Sequence, residues 1–280
     1  MTKQMLPKVS VVTVTYNCVD LVEGTLRNVL RQTYPNLEYV VIDGNSTDGT
    51  RQVIERYADR LAYWVSEPDN GIYDAMNKGI RAATGEWVLF MNAGDYFFRP
   101  TTVEEVFRWY EDKGETLIAG GTRCFVKEGY FDRMPKAPGK DIWQWSMFPH
   151  QGTFVRLAVH KENLFALNLK IVADYHFFMK MMLANAPFVI YNGIVALFRN
   201  EDGTSTCQDN FTKMSDERLK VMQMLGASEK EIRKKRRQRR GIKVRRWLLV
   251  VVRTIFPFIY RPYHLRMYIR QPLEETLKDA

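Results

Sequence analysis

The chain has 280 residues, of which 46% are hydrophobic and 26% are charged, and its formal net charge is +9. This composition excludes disorder throughout the chain and allows one substantial core, so a single α/β domain with an extension is expected. The positive charge is concentrated in residues 228–280, which hold 16 Lys and Arg against 5 Asp and Glu, while residues 1–227 hold 25 against 27.

The cysteines and the first residues favour a cytoplasmic location. Cys18, Cys124 and Cys207 are widely spaced and odd in number, which indicates neither a disulfide framework nor a zinc site. Met1–Pro7 has no basic segment, long apolar run or small-residue cleavage site. No signal peptide is therefore expected.

Strands and helices alternate over about residues 1–100. The β-branched run Val9–Thr15 predicts a strand that is buried on both faces, and Asp20 with Glu23 predicts a capping box for a helix that reaches about Gln32. Further strands are predicted over 37–43, 61–66 and 87–91, with helices over 50–57 and 73–83. This alternation predicts a Rossmann-like, mostly parallel sheet flanked by helices.

The regular alternation weakens after Pro100. A helix is predicted over 102–112, strands over 117–126, and helices over 172–184 and 211–224. Between them lies an aromatic loop, Asp141–His150, which carries Trp143 and Trp145. We expect a domain over 1–227 and a separate final segment over 228–280.

Polar residues follow each of the predicted parallel strands. In such sheets the ligand binds beyond the carboxyl ends of the strands, so these residues are expected to share one crevice. They are Thr15-Tyr16-Asn17, Asp43 with Ser46-Thr47-Asp48, Ser66 to Asp69, and Asn92-Ala93-Gly94-Asp95.

Asp95 is a candidate ligand for a divalent cation. It follows a buried strand, and the small pair Ala93-Gly94 lets a diphosphate approach the backbone. Mg²⁺ and Mn²⁺ often take only one or two protein oxygens and fill their other positions with phosphate and water. The alternative is an ordinary turn aspartate, because Asp beside Gly is common in turns.

Two other strand-end aspartates have competing interpretations. Asp43 can accept hydrogen bonds from a nucleobase and a ribose, or it can cap its own turn. Asp48 lies where the next helix needs an N-cap, so the structural interpretation is preferred. Asn77 on the third helix can face a nucleotide, whereas Lys78 beside it is expected to be a solvated surface residue.

Three residues in the second half are candidates for chemistry. Asp174 opens a predicted helix, where it can be a cap or, if burial raises its basicity among Tyr175 and its neighbours, a general base. His150 and Gln151 follow the aromatic loop and can bind phosphate or an acceptor. A structural role is the alternative for this histidine.

Four ordered motifs carry a family resemblance: VSVVTVTYN (9–17), VVIDGNSTDGT (40–50), SEPDNGIYDAMNKG (66–79) and GEWVLFMNAGD (85–95). The chain resembles the family-two inverting glycosyltransferases of bacterial capsule, O-antigen and exopolysaccharide synthesis. The resemblance implies the GT-A fold, with a nucleotide-binding half over about 1–100 and an acceptor half over about 101–227. It also implies a nucleotide-diphosphate sugar donor, with UDP favoured.

The resemblance also assigns roles to individual residues. Asp95 ends a variant of the metal-binding DxD motif that holds Mn²⁺ or Mg²⁺, and Asp174 is the catalytic base. His150-Gln151 also has counterparts in a recognisable subgroup. The residues expected along the nucleotide sugar are Thr15, Tyr16, Asn17, Asp43, Asp69, Asn77, Asn92, Ala93 and Gly94.

The final segment indicates a contact with the membrane surface. Basic residues crowd 230–246, and the apolar run Trp247–Val252 is too short to span a bilayer. A basic amphipathic helix of this kind can lie on the anionic inner face of the cell membrane, near a lipid-linked or saccharide acceptor. The alternative is a helix that packs on the domain; nucleic-acid binding is not expected, because no recognition module accompanies the charge.

Two other functional classes remain as alternatives. A nucleotidyltransferase would normally carry a Gly-rich basic loop after the first strand, and Thr15-Tyr16-Asn17-Cys18 is not one. A non-catalytic nucleotide-binding or membrane scaffold is the other alternative, favoured if Asp95 or Asp174 is turned away from the crevice.

Overall fold

The computed structural model describes residues 6–126, 129–139, 141–143, 148–199 and 210–238. The strands are β1 (Val9–Thr15), β2 (Leu37–Asp43), β3 (Tyr63–Ser66), β4 (Trp87–Phe90), β5 (Tyr96–Phe97), β6 (Leu117–Val126), β7 (Gly129–Arg133), β8 (Thr153–Arg156) and β9 (Phe188–Arg199). The helices are α1 (Val19–Leu30), α2 (Thr50–Glu55), α3 (Ile72–Ala82), α4 (Thr102–Trp109), α5 (Leu157–Glu162), α6 (Ala173–Leu183), α7 (Asn210–Met224) and α8 (229–238).

The strands form one sheet in the order β3-β2-β1-β4-β8-β6-β9-β5, and β7 pairs with β6. The strands β3, β2, β1 and β4 are parallel, which confirms the predicted first half. The second half is mixed, because β8 lies antiparallel between β4 and β6, while β6 and β9 are parallel. The carboxyl ends of the first four strands therefore lie at one edge, as the sequence predicts.

Alternation along the strands divides the core into two layers. On β1, Val9 and Val11 face one layer and Val12 and Val14 face the other, because successive side chains of a strand point to opposite faces. Helices α1 and α4 cover the first layer, and α3 and α6 cover the second. Since both faces are covered, these strands are apolar almost throughout.

The start of α1 differs from the prediction. Asp48 caps this helix from the loop after β2, because its Oδ2 accepts a hydrogen bond of 3.0 Å from Val19 N. Its Oδ1 accepts one of 3.0 Å from Thr50 N at the start of α2, so a single carboxylate serves two helices. The predicted capping box is wrong, since Glu23 instead accepts a bond from the Tyr57 hydroxyl. Asp48 therefore has the structural role of a helix cap, which is the interpretation that the sequence favours.

The first part of the final segment packs on the domain. Ile232 of α8 is buried in the same layer as α6. Glu231 accepts a hydrogen bond of 2.9 Å from Trp143 Nε1, and Lys234 Nζ lies 3.2 Å from Asp141 Oδ2. Residues 229–238 therefore pack on the domain, which the sequence analysis gave as the alternative to a membrane contact. Trp145 and residues 239–280, which include the apolar run, lie outside the described residues. In the described part of the chain, no helix is long and apolar enough to cross a membrane.

Candidate active site

A tight turn follows β4 and presents Asp95. The Asp95 N–H donates to Asn92 O at 2.9 Å, and Gly94 adopts φ 93°, a value that favours glycine at the third position of a turn. The Gly94 N–H donates to Thr25 Oγ1, and this hydroxyl donates to Asp95 O. Helix α1 therefore fixes the turn and with it the direction of the Asp95 side chain.

The Asp95 carboxyl group is buried, with only 5% of the residue exposed. Burial raises the pKa of Asp95 to about 7, although the electrostatic interaction with His150 and a hydrogen bond from Gln151 both act to lower it. A buried carboxylate whose negative charge the protein compensates incompletely is suited to a bound cation.

His150 and Gln151 belong to the other half of the sheet and lie beside the turn that carries Asp95. They occupy a short 3-10 turn that leads into β8. Gly152 ends this turn so close to β6 that a Cβ atom would lie 2.6 Å from Gly120 O. The 3-10 turn can press against the sheet only because residue 152 has no side chain.

Asp174, in the first turn of α6, lies against His150. Its Oδ2 is 3.3 Å from His150 Nδ1, and its Oδ1 accepts hydrogen bonds from the Tyr73 hydroxyl at 3.1 Å and Tyr175 N at 2.8 Å. Burial alone would raise the pKa of Asp174, but the hydrogen bond and electrostatic interaction with His150, together with the Tyr175 and Tyr73 donors, lower it. Burial therefore acts on the pKa of Asp174 in the predicted direction, but the hydrogen-bond donors around the carboxylate outweigh it.

The structure thus brings together Asp95, His150, Gln151, Asp174 and Tyr73, which we call the candidate cluster. Two buried polar atoms here have no hydrogen-bond partner among the described residues: His150 Nε2 and Asn92 Oδ1. Buried polar atoms are rarely left unsatisfied, so both are atoms that a ligand would be expected to contact.

The turn after β4 fits a hard divalent cation with few protein ligands. Asp95 and Asn92 both supply oxygen atoms there, and Asn92 Oδ1 is one of the buried atoms without a partner. Over the described ranges, no group of three or more His, Cys, Asp and Glu side chains is arranged to hold a metal ion. A site with one or two protein ligands, completed by diphosphate and water, is consistent with both observations.

Asp43 lies beneath the crevice. It has no exposed surface, and each of its carboxylate oxygens accepts two hydrogen bonds. The donors are Thr15 Oγ1, Ser46 Oγ, Ser46 N and Ser66 Oγ. Asp43 and Thr15 therefore tie the ends of β1, β2 and β3 together, which favours the structural interpretation of Asp43 over direct contact with a nucleobase.

Tyr16 and Asp69 flank an open position above this network. Tyr16 is 65% exposed, and its ring and the Asp69 carboxylate both lie close to Gly44, on the side where a Cβ atom would point. Asn17 holds the strand end in place, since its N–H donates to Ser46 Oγ and its Oδ1 accepts from Thr47 N. An exposed aromatic ring beside a carboxylate is suited to a nucleobase and a ribose.

We predict that Gly44→Ala closes this position. A Cβ atom at residue 44 would overlap the Asp69 carboxylate oxygen and lie 3.2 Å from Tyr16 Cδ2. Because the ring and the carboxylate would both have to move, nucleotide affinity should fall about 10-fold, equivalent to about 1.4 kcal/mol. Calorimetric titration with UDP measures it, with Asp59→Ala at an exposed position outside the site as the control. Unchanged affinity would mean that the nucleotide binds elsewhere.

Asn77 is not at the crevice. It is 1% exposed, its Nδ2 donates to Phe165 O at 2.9 Å, and its Oδ1 accepts from Phe165 N at 2.8 Å. This pair of bonds anchors the segment before α6, so the predicted position beside the nucleotide is replaced by a structural one. Lys78, expected to be a solvated surface residue, has a side chain that is 22% exposed, donates to Pro68 O and lies 2.7 Å from Glu67 Oε1.

Two residues of the site were not singled out from the sequence. Tyr73 donates to both Asp174 and the Ile171 carbonyl, and its position inside the 66–79 motif was an available signal. Glu217 of α7 accepts hydrogen bonds from the Lys170, Ile171 and Val172 amides, just before α6 begins. No local pattern marks Glu217, because its partners are more than forty residues away.

Four parallel strands form one half of the sheet, and the cluster lies beside their carboxyl ends. This arrangement defines an α/β fold of the GT-A class. The chain belongs to glycosyl transferase family 2, whose profile matches residues 10–183. The protein is therefore a glycosyltransferase, which decides against the nucleotidyltransferase and scaffold alternatives.

Relatives in Mycobacterium tuberculosis agree with this assignment. An uncharacterized glycosyltransferase is 32% identical over 189 residues, which cover 66% of this chain and 72% of the relative. A PGL/p-HBAD biosynthesis glycosyltransferase is 28% identical over 205 residues, which cover 70% of this chain and 78% of the relative.

Solved structures share the fold. The chain is similar to Staphylococcus aureus TarS 1–349 in complex with UDP-GlcNAc, with a TM-score of 0.62, 22% identity, and coverage of 77% of this chain and 66% of that one. It is also similar to the mannosyltransferase PcManGT of Pyrobaculum calidifontis in complex with GDP-Man and Mn²⁺, with a TM-score of 0.57 and 22% identity. That similarity covers 78% of this chain and 63% of the mannosyltransferase.

Proposed function

We propose that this glycosyltransferase transfers a sugar, a hexose or an N-acetylhexosamine, from a nucleotide-diphosphate donor to an acceptor hydroxyl with inversion at the anomeric carbon. The observation that carries the proposal is the approach of His150 to Asp174 beside the buried carboxyl group of Asp95. A group suited to a cation and a pair suited to proton transfer therefore lie side by side, at the edge of the sheet where ligands bind.

The donor would lie along the strand ends. The nucleobase would contact the exposed Tyr16 ring and the ribose Asp69, while the diphosphate would approach the backbone at Ala93 and Gly94. Asp95 and Asn92 would hold a Mn²⁺ or Mg²⁺ ion, and that ion would neutralise the charge that develops on the departing diphosphate. Buried Asp43 and Thr15 would keep the strand ends in place.

The acceptor hydroxyl would give its proton to the pair formed by Asp174 and His150. Its oxygen attacks the anomeric carbon, and the bond to the diphosphate breaks on the opposite face. This is a single displacement, so the configuration inverts and no covalent enzyme intermediate forms. Gln151 would orient Asp95 through their hydrogen bond, and Tyr73 would orient Asp174.

The substrates are proposed from the resemblance and the relatives. UDP is the favoured nucleotide, and TarS in complex with UDP-GlcNAc supports a nucleotide-sugar donor. The acceptor would be a lipid-linked saccharide or a growing surface polysaccharide of the capsule, O-antigen or exopolysaccharide type. A relative named for PGL/p-HBAD biosynthesis supports a role in a biosynthetic pathway.

Peripheral attachment to the inner face of the cell membrane is also proposed. Helix α8 exposes Lys230, Arg233, Arg236 and Arg237, and each basic residue near an anionic leaflet adds about 1 kcal/mol of attraction. Replacing all four by Gln should therefore lower binding to phosphatidylglycerol vesicles at least 10-fold in cosedimentation. Equal binding of the two proteins would argue against a contribution from this helix.

A binding screen tests the donor site. Calorimetry or thermal shift with UDP, GDP, TDP and UDP-sugars, each with and without Mn²⁺, should show stabilisation by one nucleotide that requires the ion. No response to any of them would contradict the proposed donor site.

A further inference from the structure

The N-terminus of α6 has no capping side chain of its own. Its N-cap residue is Val172, which has no polar side-chain atom and makes no cap hydrogen bond. Three consecutive backbone amides at this point donate instead to the carboxylate of Glu217 on α7: those of Lys170, Ile171 and Val172, at 2.8, 2.8 and 3.2 Å. Hydrogen bonds to a carboxylate are stronger than those between neutral groups, so one side chain fixes the path of the chain just before Asp174.

Ile171 connects the Glu217 carboxylate to the candidate cluster. Its N–H donates to Glu217 Oε2 at 2.8 Å, and its carbonyl accepts from the Tyr73 hydroxyl at 2.8 Å. The same hydroxyl donates to Asp174 Oδ1 at 3.1 Å. A hydroxyl has one hydrogen, which these two acceptors share. The position of the Ile171 backbone therefore influences how Tyr73 holds the Asp174 carboxylate.

Helix α7 also contacts the residue that follows Asp174. The guanidinium carbon of Arg218 lies 5.0 Å from the centre of the Tyr175 ring, and the Tyr175 N–H donates to Asp174 Oδ1 at 2.8 Å. Val221 of α7 is buried in the same core layer as α6, which fixes one helix against the other. Helix α7 therefore borders the chain on both sides of Asp174.

We infer that Glu217 is a positioning residue for sugar transfer, which holds the amides before α6 and thereby sets the place of the Asp174 carboxylate. This inference rests on the proposed function, in which Asp174 and His150 take the proton from the acceptor hydroxyl. Glu217 acts through Ile171 and Tyr73 rather than on a substrate. A misplacement of about 1 Å at a reacting group can cost about 100-fold in rate, so the loss of this support should slow the chemical step.

A split between kcat and KM tests the inference. The assay is release of UDP from a UDP-sugar with Mn²⁺, where water replaces the acceptor hydroxyl. Glu217→Ala should lower kcat at least about 10-fold while the donor KM stays within about 2-fold, because the proposed donor contacts lie at the strand ends. Glu217→Gln keeps one accepting oxygen, so it should be at least about 3-fold faster than Glu217→Ala.

Lys220→Ala is the matched control. Lys220 lies on the same helix and donates to Asn168 O at 3.0 Å, in the same connection between α5 and α6. Its loss should leave kcat within about 2-fold of the parent, because this bond does not reach the start of α6. All rates are measured well below the lowest midpoint of thermal unfolding, so that a loss of stability alone does not lower them.

A double-mutant cycle tests the route from Glu217 to Asp174. Tyr73→Phe removes the hydroxyl that contacts both Ile171 and Asp174. If Glu217 acts through this hydroxyl, the double variant Glu217→Ala/Tyr73→Phe should be at most about 3-fold slower than the slower single variant. Independent effects would multiply, which is the result expected for Lys220→Ala combined with Tyr73→Phe.

The outcomes separate this inference from the function on which it rests. If the parent releases UDP and Glu217→Ala keeps at least a third of its kcat, Glu217 does not position the site and the transferase proposal stands. An equal loss in Lys220→Ala, or effects of Glu217→Ala and Tyr73→Phe that multiply, would also overturn the inference. If Glu217→Ala does not fold, the same cycle with Glu217→Gln decides. If the parent releases no nucleoside diphosphate from any donor, the proposed function fails and this inference fails with it.

Discussion

Replacing Asp174 by Asn should lower the rate of sugar transfer about 1,000-fold to 10,000-fold while nucleotide affinity stays within about 2-fold. The amide keeps the volume of the carboxylate and can still accept from Tyr175 N, so the fold should tolerate the change. It carries no negative charge, so it is a far weaker proton acceptor than the carboxylate and interacts less favourably with His150.

The measurement is a parallel titration of rate and of nucleotide binding for the two proteins. Asp59→Asn, at an exposed position outside the site, is the matched control and should behave like the parent. A variant that binds nucleotide and has lost transfer supports the assignment. Parental activity in Asp174→Asn would remove Asp174 from the proposed mechanism.

Asp95→Asn should have opposite effects on stability and on binding. The folded pKa is about 7, above the usual aspartate value near 4, so the folded state binds more protons between these two pH values. The free energy of unfolding therefore falls as pH rises from about 4 to 7. Asn does not titrate, so without metal the variant should be more stable than the parent at pH 8, by on the order of 2 kcal/mol.

Nucleotide binding in the presence of Mn²⁺ should become weaker in Asp95→Asn. Asn lacks the charge that attracts a divalent cation, so the gain in nucleotide affinity that Mn²⁺ gives the parent should fall at least 10-fold, or by about 1.4 kcal/mol. Thermal unfolding without metal at pH 4 and pH 8 measures the first effect, and calorimetry with UDP and Mn²⁺ the second. A variant that is less stable than the parent at pH 8, or equally responsive to Mn²⁺, would contradict the role given to Asp95.

The first half of the fold could be predicted because its signals are local. Apolar β-branched runs mark β1 and β2, and helical periodicity between strands forces parallel crossovers of one hand. Those crossovers place the carboxyl ends of four strands at one edge, which is why the polar residues after them could be assigned to one crevice. The placement of β8 between β4 and β6 follows from no such repeat.

The roles of individual polar residues depended on distant partners. The sequence shows that Asp43 and Asn77 are polar. It does not show that three serine and threonine hydroxyls donate hydrogen bonds to Asp43, or that the Phe165 backbone forms hydrogen bonds with Asn77. The pairing of His150 with Asp174 is of the same kind. Both were candidates, but only the tertiary structure brings the two side chains together, and their contact changes how each is interpreted.

Inverting transfer is tested most directly by following a donor with ¹H NMR. The protein is incubated with an α-linked UDP-sugar and Mn²⁺, and the anomeric signals of the released sugar are recorded before they equilibrate. The account predicts that release requires the cation and that the β anomer appears first. Initial release of the α anomer would contradict the single displacement, and tight binding without any release would contradict the role proposed for the candidate cluster.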